Sequence, residues 1–222
     1  MKTTTTGIND ESVLFSKPVT LGRGVVFFVI MFVGTVADLL TKHFVFGKYF
    51  KERIKPGQTP ETIWWIQEWL GVQTSTNQGA LFGMGQGLSM VFALLSVVAF
   101  SLLIYLLFFN RWANDLFITV TFAMIAAGIF GNLYDRLGLW HDASIAAEHQ
   151  NAVRDWIHFN WEGGPRIMNP WPNFNVADIQ LVCGAALLCI HAVFVQPKME
   201  KTKSVSNQGL SDQDRVDGAE SP

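Results

Sequence analysis

Two short stretches of the chain carry acids where acids are costly. Gly131-Asn132-Leu133-Tyr134-Asp135-Arg136 ends an apolar run that begins near Leu116, and Asn175-Val176-Ala177-Asp178 leads into another. Both contain Asn-x-x-Asp, and both lie at the mouth of a hydrophobic segment. Ionisable groups at membrane depth are expensive and mark function by default. Two close carboxylates cannot both ionise cheaply, so they share a proton. One can then activate water while the other protonates a leaving group. On this reading Asp135 and Asp178 form a catalytic pair. Asp178 also has a structural reading, with Asn175 as an N-cap and Asp178 as the acid of a capping box.

The remaining polar candidates are weaker one by one. Asp38 and Lys42 are four apart and would stack on one helix face as an ion pair, most simply a structural one. Asn77-Gln78-Gly79-Ala80 is either an ordinary loop or an edge for an extended peptide, since glycine allows close backbone approach. Asp155, next to Trp156, reads from spacing as a solvated loop acid. His43, His141, His149, His158 and His191 show no metal-ligand spacing. Cys183 and Cys189 lie six apart with no CxxC, and read as small buried hydrophobes.

The elements that must position these residues are apolar. Half of the 222 residues are hydrophobic and only 15% are charged, against about a quarter in soluble domains. Residues 24–37 are apolar and follow Arg23; the run reaches Leu40 if Asp38 is tolerated. No small-x-small cleavage site follows, so it reads as a retained first transmembrane helix. Leu88 to Phe109 has no charge and can cross about 30 Å of hydrocarbon. Leu116 to Phe130 and Ile179 to Val195 are the third and fourth runs. Between them, Ile63 to Leu70 is rich in Trp, as at a headgroup interface. Gly71 to Thr76 resembles a short strand, and 137–174 is the largest loop. Residues 1–21 and 197–222 are polar tails expected to be disordered, which leaves 22–196 as the membrane domain. A net charge of −2 gives no case for nucleic acid.

Four spans fix the sidedness by parity. The segments 43–87 and 137–174 share one side, and the turn 110–115 lies on the other with both termini. Asp38, Lys42, Asn77, Asp135, Arg136, Asp155, Asn175 and Asp178 therefore fall on one face. Lys and Arg divide eight and eight between the two sides, so the positive-inside rule does not orient the chain.

Taken in order, these motifs resemble those of the signal peptidase II family, the lipoprotein signal peptidases. They are Asp38 with Lys42; Asn77-Gln78-Gly79-Ala80-Leu81-Phe82; Gly131-Asn132-Leu133-Tyr134-Asp135-Arg136; Val153-Arg154-Asp155-Trp156; and Phe174-Asn175-Val176-Ala177-Asp178. The resemblance covers about 22–196. It implies an all-α polytopic membrane protein, with four transmembrane helices and a small extracytoplasmic β-cradle. The implied activity is that of a metal-free, cofactor-free intramembrane aspartic endopeptidase. It would remove the signal peptide from prolipoproteins just before the diacylglyceryl-modified cysteine. By motif position Asp135 and Asp178 would be catalytic, and Asn77, Gly79, Asn132, Arg136 and Asn175 would support substrate and dyad. Asp38, Lys42 and Asp155 would hold local structure. The resemblance also implies a monomer in the bacterial cytoplasmic (inner) membrane, with cytoplasmic termini and lipid-modified substrates. A small transporter or assembly factor is the competing class, but every polar candidate lies on one face and none marks the midplane. Gly-x-Gly-Asp, the mark of another intramembrane aspartic protease type, does not occur.

The topology is directly testable. Cysteines introduced at Asn77 and at Trp161 should both react with an impermeant thiol reagent from outside the cell, and one at Asn114 should not. Labelling of the first two from opposite sides would rule out the four-span arrangement.

Overall fold

The computed structural model describes residues 19–53, 61–79, 84–141, 145–161 and 171–195. Residues 1–18 of the N-terminal tail, the C-terminal tail, and Ala80 to Gly83 of the glycine-rich stretch lie outside them. Among these residues four helices are long and apolar enough to cross a membrane: α1 (Leu21–Arg53), α2 (Ser89–Ile104), α3 (Leu116–Arg136) and α4 (Val176–Ile190). α2 and α4 each run on into a π-helical turn, Tyr105–Phe109 and His191–Val195. α1 continues well past Leu40, where the first run was expected to stop. Asp38 and Lys42 neutralise each other inside it. Beyond them Val45, Phe46 and Tyr49 give the helix an apolar face that packs on a sheet.

Each end of α3 is set by local chemistry. At its start Asp115 is the N-cap and accepts from Phe117 N (2.7 Å) and Ile118 N (3.2 Å), satisfying two of the helix's orphan donors. At its end Gly138 takes a left-handed φ of 71°. Gly138 N donates to Asp135 O and Leu139 N to Tyr134 O, the bond pattern of a Schellman stop. The sequence Asp-Arg-Leu-Gly thus places Asp135 in the last turn.

α3 is the most buried span, packed between α1 and α4. Between helices in lipid, small residues and hydrogen bonds replace the hydrophobic drive. Thr35 Oγ1 donates to Ala127 O and Gln180 Nε2 to Gly34 O. Gly34 lies against Ala127, Gly184 against Ile125, and Gly131 against Asp38 and Ala177. The outward faces carry large apolar side chains such as Phe32, Leu94 and Val182. Cys183 and Cys189 also lie on the outward face rather than buried, as a small apolar side chain can where the surroundings are lipid.

The strand expected over Gly71 to Thr76 is part of a four-stranded antiparallel sheet, β1 (Ile63–Ile66), β2 (Leu70–Asn77), β3 (Val153–Phe159) and β4 (Trp171–Phe174), in the order β1-β2-β3-β4. The architecture is the expected four apolar helices with a small antiparallel sheet, so all-α describes the spans alone. β3 runs through the middle of the stretch read as a long loop, and all but its last residue are buried. Its β-branched and aromatic residues suit a pleated, enclosed surface. Phe46 of α1, Val72, Trp156 and Ile157 form the core beneath the sheet. The Trp-rich stretch forms β1 and its turn into β2, with Trp65, Ile66 and Trp69 exposed.

Gly131 is the tightest point of this assembly. A methyl group there would meet Asp38 Oδ2, its Cγ at 2.9 Å and Ala177 Cβ at 3.0 Å. Gly131→Ala should therefore lower stability by about 1–3 kcal/mol, read as a drop in thermal unfolding temperature in detergent. Gly22→Ala, with nothing within 4 Å, serves as the control and should leave it unchanged. Equal unfolding temperatures for the two variants would contradict this packing.

Candidate active site

Asp135 stands in the last turn of α3 and is completely buried. Arg154 Nη2 (2.7 Å) and Nε (3.0 Å) donate to its Oδ1, and Arg154 N (2.9 Å) donates to its Oδ2. Lys42 Nζ lies 3.1 Å from the same Oδ2. Every donor around this carboxylate is fixed, and two are cations. Lys42, also fully buried, pairs with Asp38 at 2.7 Å, as the four-residue spacing suggested. Asp38 Oδ1 accepts from Ala177 N (2.9 Å), so α1 holds one of the free amides that begin α4.

Asp178 follows in the same first turn of α4. Asn175 Oδ1 accepts from Asp178 N (3.0 Å), and Asp178 Oδ2 accepts from Asn175 N (3.1 Å), a complete capping box. Asp178 Oδ1 accepts from Asn132 Nδ2 (2.8 Å). The structural reading of Asp178 is thus correct, and it still leaves this carboxylate facing a cavity.

Two asparagines bind the site together. Asn132 Oδ1 accepts from Lys42 Nζ and from Asn175 Nδ2, both at 3.1 Å. Asn175, fully buried, also donates through Nδ2 to Asp155 Oδ1 (2.7 Å). Asp155 is thereby drawn to the same amide network as Asp178. It is 3% exposed, on β3 rather than in a wet loop. Burial pushes its carboxyl well above the usual carboxylate range, and the charge of Asp178 pushes it further the same way.

A cavity of about 290 Å³ opens onto these groups. Asn77, Asn132, Arg136, Asp155 and Asp178 give it a polar end. Ile129 of α3, Leu181 and Val182 of α4, and Trp171, Pro172 and Phe174 of β4 give it apolar walls. Asp135 is not in its lining. The carboxylate that shares the cavity with Asp178 is Asp155, whereas the pairing expected from the sequence is Asp135 with Asp178. The physical reason is that Arg154 and Lys42 occupy Asp135, while β3 carries Asp155 past it to the cavity wall.

Arg136 lines the cavity, with Nη2 3.3 Å from Gly79 O and its guanidinium over the Phe92 ring at 5.6 Å. Among the described residues its buried Nε has no hydrogen-bond partner. The Gly79 amide donates to Asn77 Oδ1 (2.9 Å). Gly79 is therefore not a bare backbone edge; its carbonyl helps to hold Arg136. The structure thus brings together Asn77, Asn132, Arg136, Asn175 and Asp178 as expected and adds Asp155. It places Asp38, Lys42 and Asp135 behind them. Arg154 carries no expectation of its own from the sequence; the β-branched and aromatic residues of Val153 to Phe159, taken as a strand, are the signal that brings both Arg154 and Asp155 forward. Among the described residues no three His, Cys, Asp or Glu side chains are grouped to hold a metal ion.

Residues 30–194 match the family model for signal peptidase (SPase) II. The lipoprotein signal peptidase of Rhodopirellula baltica is 39% identical over 170 residues, covering 77% of this chain and 72% of that protein. That of Rhodococcus jostii is 30% identical over 174 residues, covering 78% and 75%. A solved bacterial membrane enzyme shares the fold, with a TM-score of 0.60 at 24% identity, over 80% of this chain and 91% of that one. The family match takes in most of α1, the sheet and the three later spans, every element that carries a residue of the site, and the chain belongs to the signal peptidase II family.

Proposed function

We propose that this protein is an aspartic endopeptidase that removes the signal peptide from prolipoproteins, immediately before the diacylglyceryl-modified cysteine. Asp155 and Asp178 are its catalytic pair. The observation that carries this reading is a single cavity with both carboxylates at its polar end and apolar walls from α3, α4 and β4. Family membership supports the substrate class. The enzyme lies in the bacterial cytoplasmic membrane with cytoplasmic termini, and the sheet and the carboxylates are at the extracytoplasmic end of the spans. Membrane lipids surround it, and it acts as a monomer.

Asp178 sits in the first turn of α4, where the helix dipole favours a carboxylate, and it accepts two hydrogen bonds. Asp155 is buried and holds the shared proton. Asp178 takes a proton from water as the water oxygen attacks the scissile carbonyl carbon. Asp155 gives its proton to the carbonyl oxygen, forming a gem-diol. The proton on Asp178 then passes to the leaving nitrogen as the C–N bond breaks. Asp155 recovers its proton as the carbonyl re-forms. The Arg136 guanidinium lines the cavity and can donate to a substrate carbonyl.

The variants separate the two assignments. Asp155→Asn and Asp178→Asn should abolish cleavage of a lipid-modified precursor. The raised pKa of Asp155 means that the folded state holds this proton more tightly than the unfolded chain. Its favourable contribution is fully present below the unfolded value of about 3.9 and is lost as pH rises through the folded value. Asp155→Asn removes that loss and should unfold at a higher temperature than wild type at pH 7. Asp135→Asn leaves Arg154 and Lys42 underpaired and should cost roughly 3–5 kcal/mol of stability. Normal turnover by a folded Asp155→Asn protein would overturn the assignment. Rates in the wild type should fall at high pH as Asp155 ionises, and a rate rising through that range would contradict its role as the acid.

A further inference from the structure

Arg154 immediately precedes Asp155 on β3. Its backbone amide and two of its side-chain nitrogens all bind Asp135, and its guanidinium lies over the rings of Trp140 (5.2 Å) and Phe46 (5.9 Å). Burying a guanidinium is costly, and Asp135 already has Lys42 as a counter-ion. The sheet shows what the second cation does. β2 and β3 slip by one residue between the Val72↔Ile157 and Ser75↔Asp155 pairs, so the ladder is irregular beside Asp155. On the other side, β4 pairs only with Ile157 and Phe159. Asp155 pairs with Ser75 at the edge of that irregularity and has no β4 partner, so the ladder holds the residue that must stand opposite Asp178 from one side only.

We propose that Arg154 is a positioning residue. Acting through Asp135, it pins β3 to the last turn of α3, one turn from the Asn132 that holds Asp178. Successive strand side chains point to opposite faces, so with Arg154 turned to Asp135, Asp155 is turned to the cavity. Three bonds from one residue to one carboxylate fix the strand's position and its rotation, which a lysine with its single flexible ammonium would not. This inference rests on the assignment of Asp155 and Asp178 as the catalytic pair.

The test uses the full-length enzyme in lipid nanodiscs with a lipid-modified precursor peptide, and compares Arg154→Met, Arg154→Lys and Asp155→Asn. Displacement of a reacting group by about 1 Å can cost 100-fold. Arg154→Met should therefore lower kcat by roughly that factor, with KM within about twofold. The groups facing Asp155 are Asp178 from α4, Lys42 from α1 and Asp135 from α3, with Arg136 of α3 near it as well. With Arg154 gone, the Asp135 charge is less offset and Asp155 holds its proton more tightly, so the high-pH limb of the pH–rate profile should move to higher pH. Arg154→Lys restores the cation and should return that limb to its wild-type position, while kcat stays roughly tenfold low. A folded Arg154→Met or Arg154→Lys protein with wild-type kcat overturns the inference, as does a loss carried by KM alone. Should Arg154→Met not fold, Arg154→Lys decides the matter. An active Asp155→Asn would sink the catalytic assignment itself. An inactive Asp155→Asn beside a wild-type Arg154→Lys would sink only the role of Arg154.

Discussion

The structure turns on a chain of buried charges, Asp38–Lys42–Asp135–Arg154. Each link is an ion pair of 2.7–3.1 Å between side chains that are at most 5% exposed. Taking such groups out of water is repaid only when the geometry is good and the remaining polar atoms find partners. That condition dictates the packing of four elements. α1 must pass beside the end of α3, where only glycine at 131 leaves room for the Asp38 carboxylate. α4 must begin where Asp38 can accept from Ala177 N. β3 must dock where Arg154 reaches Asp135.

The catalytic pair of the proposed mechanism inherits its environment from this chain. Asn132 touches Lys42 on one side and Asp178 on the other, and Asn175 joins Asp155 to both. Asp38, Asp135 and Asp178 then balance Lys42, Arg154 and Arg136, three charges against three, provided that Asp155 is neutral. The field of α4 favours charge on Asp178, and burial disfavours it on Asp155. Two carboxylates with opposite tasks are thus separated by their surroundings rather than by residue type.

Much of this was legible in the sequence, because membrane spans announce themselves. The four apolar runs, the shared face fixed by parity, the Asp38–Lys42 pair and the Asn175–Asp178 capping box all follow from spacing. The sheet was not legible as a whole. Its strands come from two segments nearly 80 residues apart, and β3 hides in a stretch rich in Trp, Asn and Gly that resembles a loop. Asp155 was misread for that reason: its burial comes from long-range pairing with β2 and from α1 running on past Lys42. For Asp135 the sequence points the other way. An acid beside a membrane span is costly, but the cost can be met by Lys42 and by an Arg154 that pattern alone does not connect to it.

The coupling of Asp155 to Asp178, rather than of Asp135 to Asp178, is the central claim. Carboxyl-carbon NMR of 13C-labelled aspartate, titrated in wild type, Asp178→Asn and Asp135→Asn, measures it directly. The account predicts that the Asp155 resonance titrates well above the ordinary carboxylate range in wild type. It should move substantially towards that range in Asp178→Asn, and much less in Asp135→Asn. An Asp155 resonance indifferent to Asp178, with Asp135 responding in its place, would contradict it.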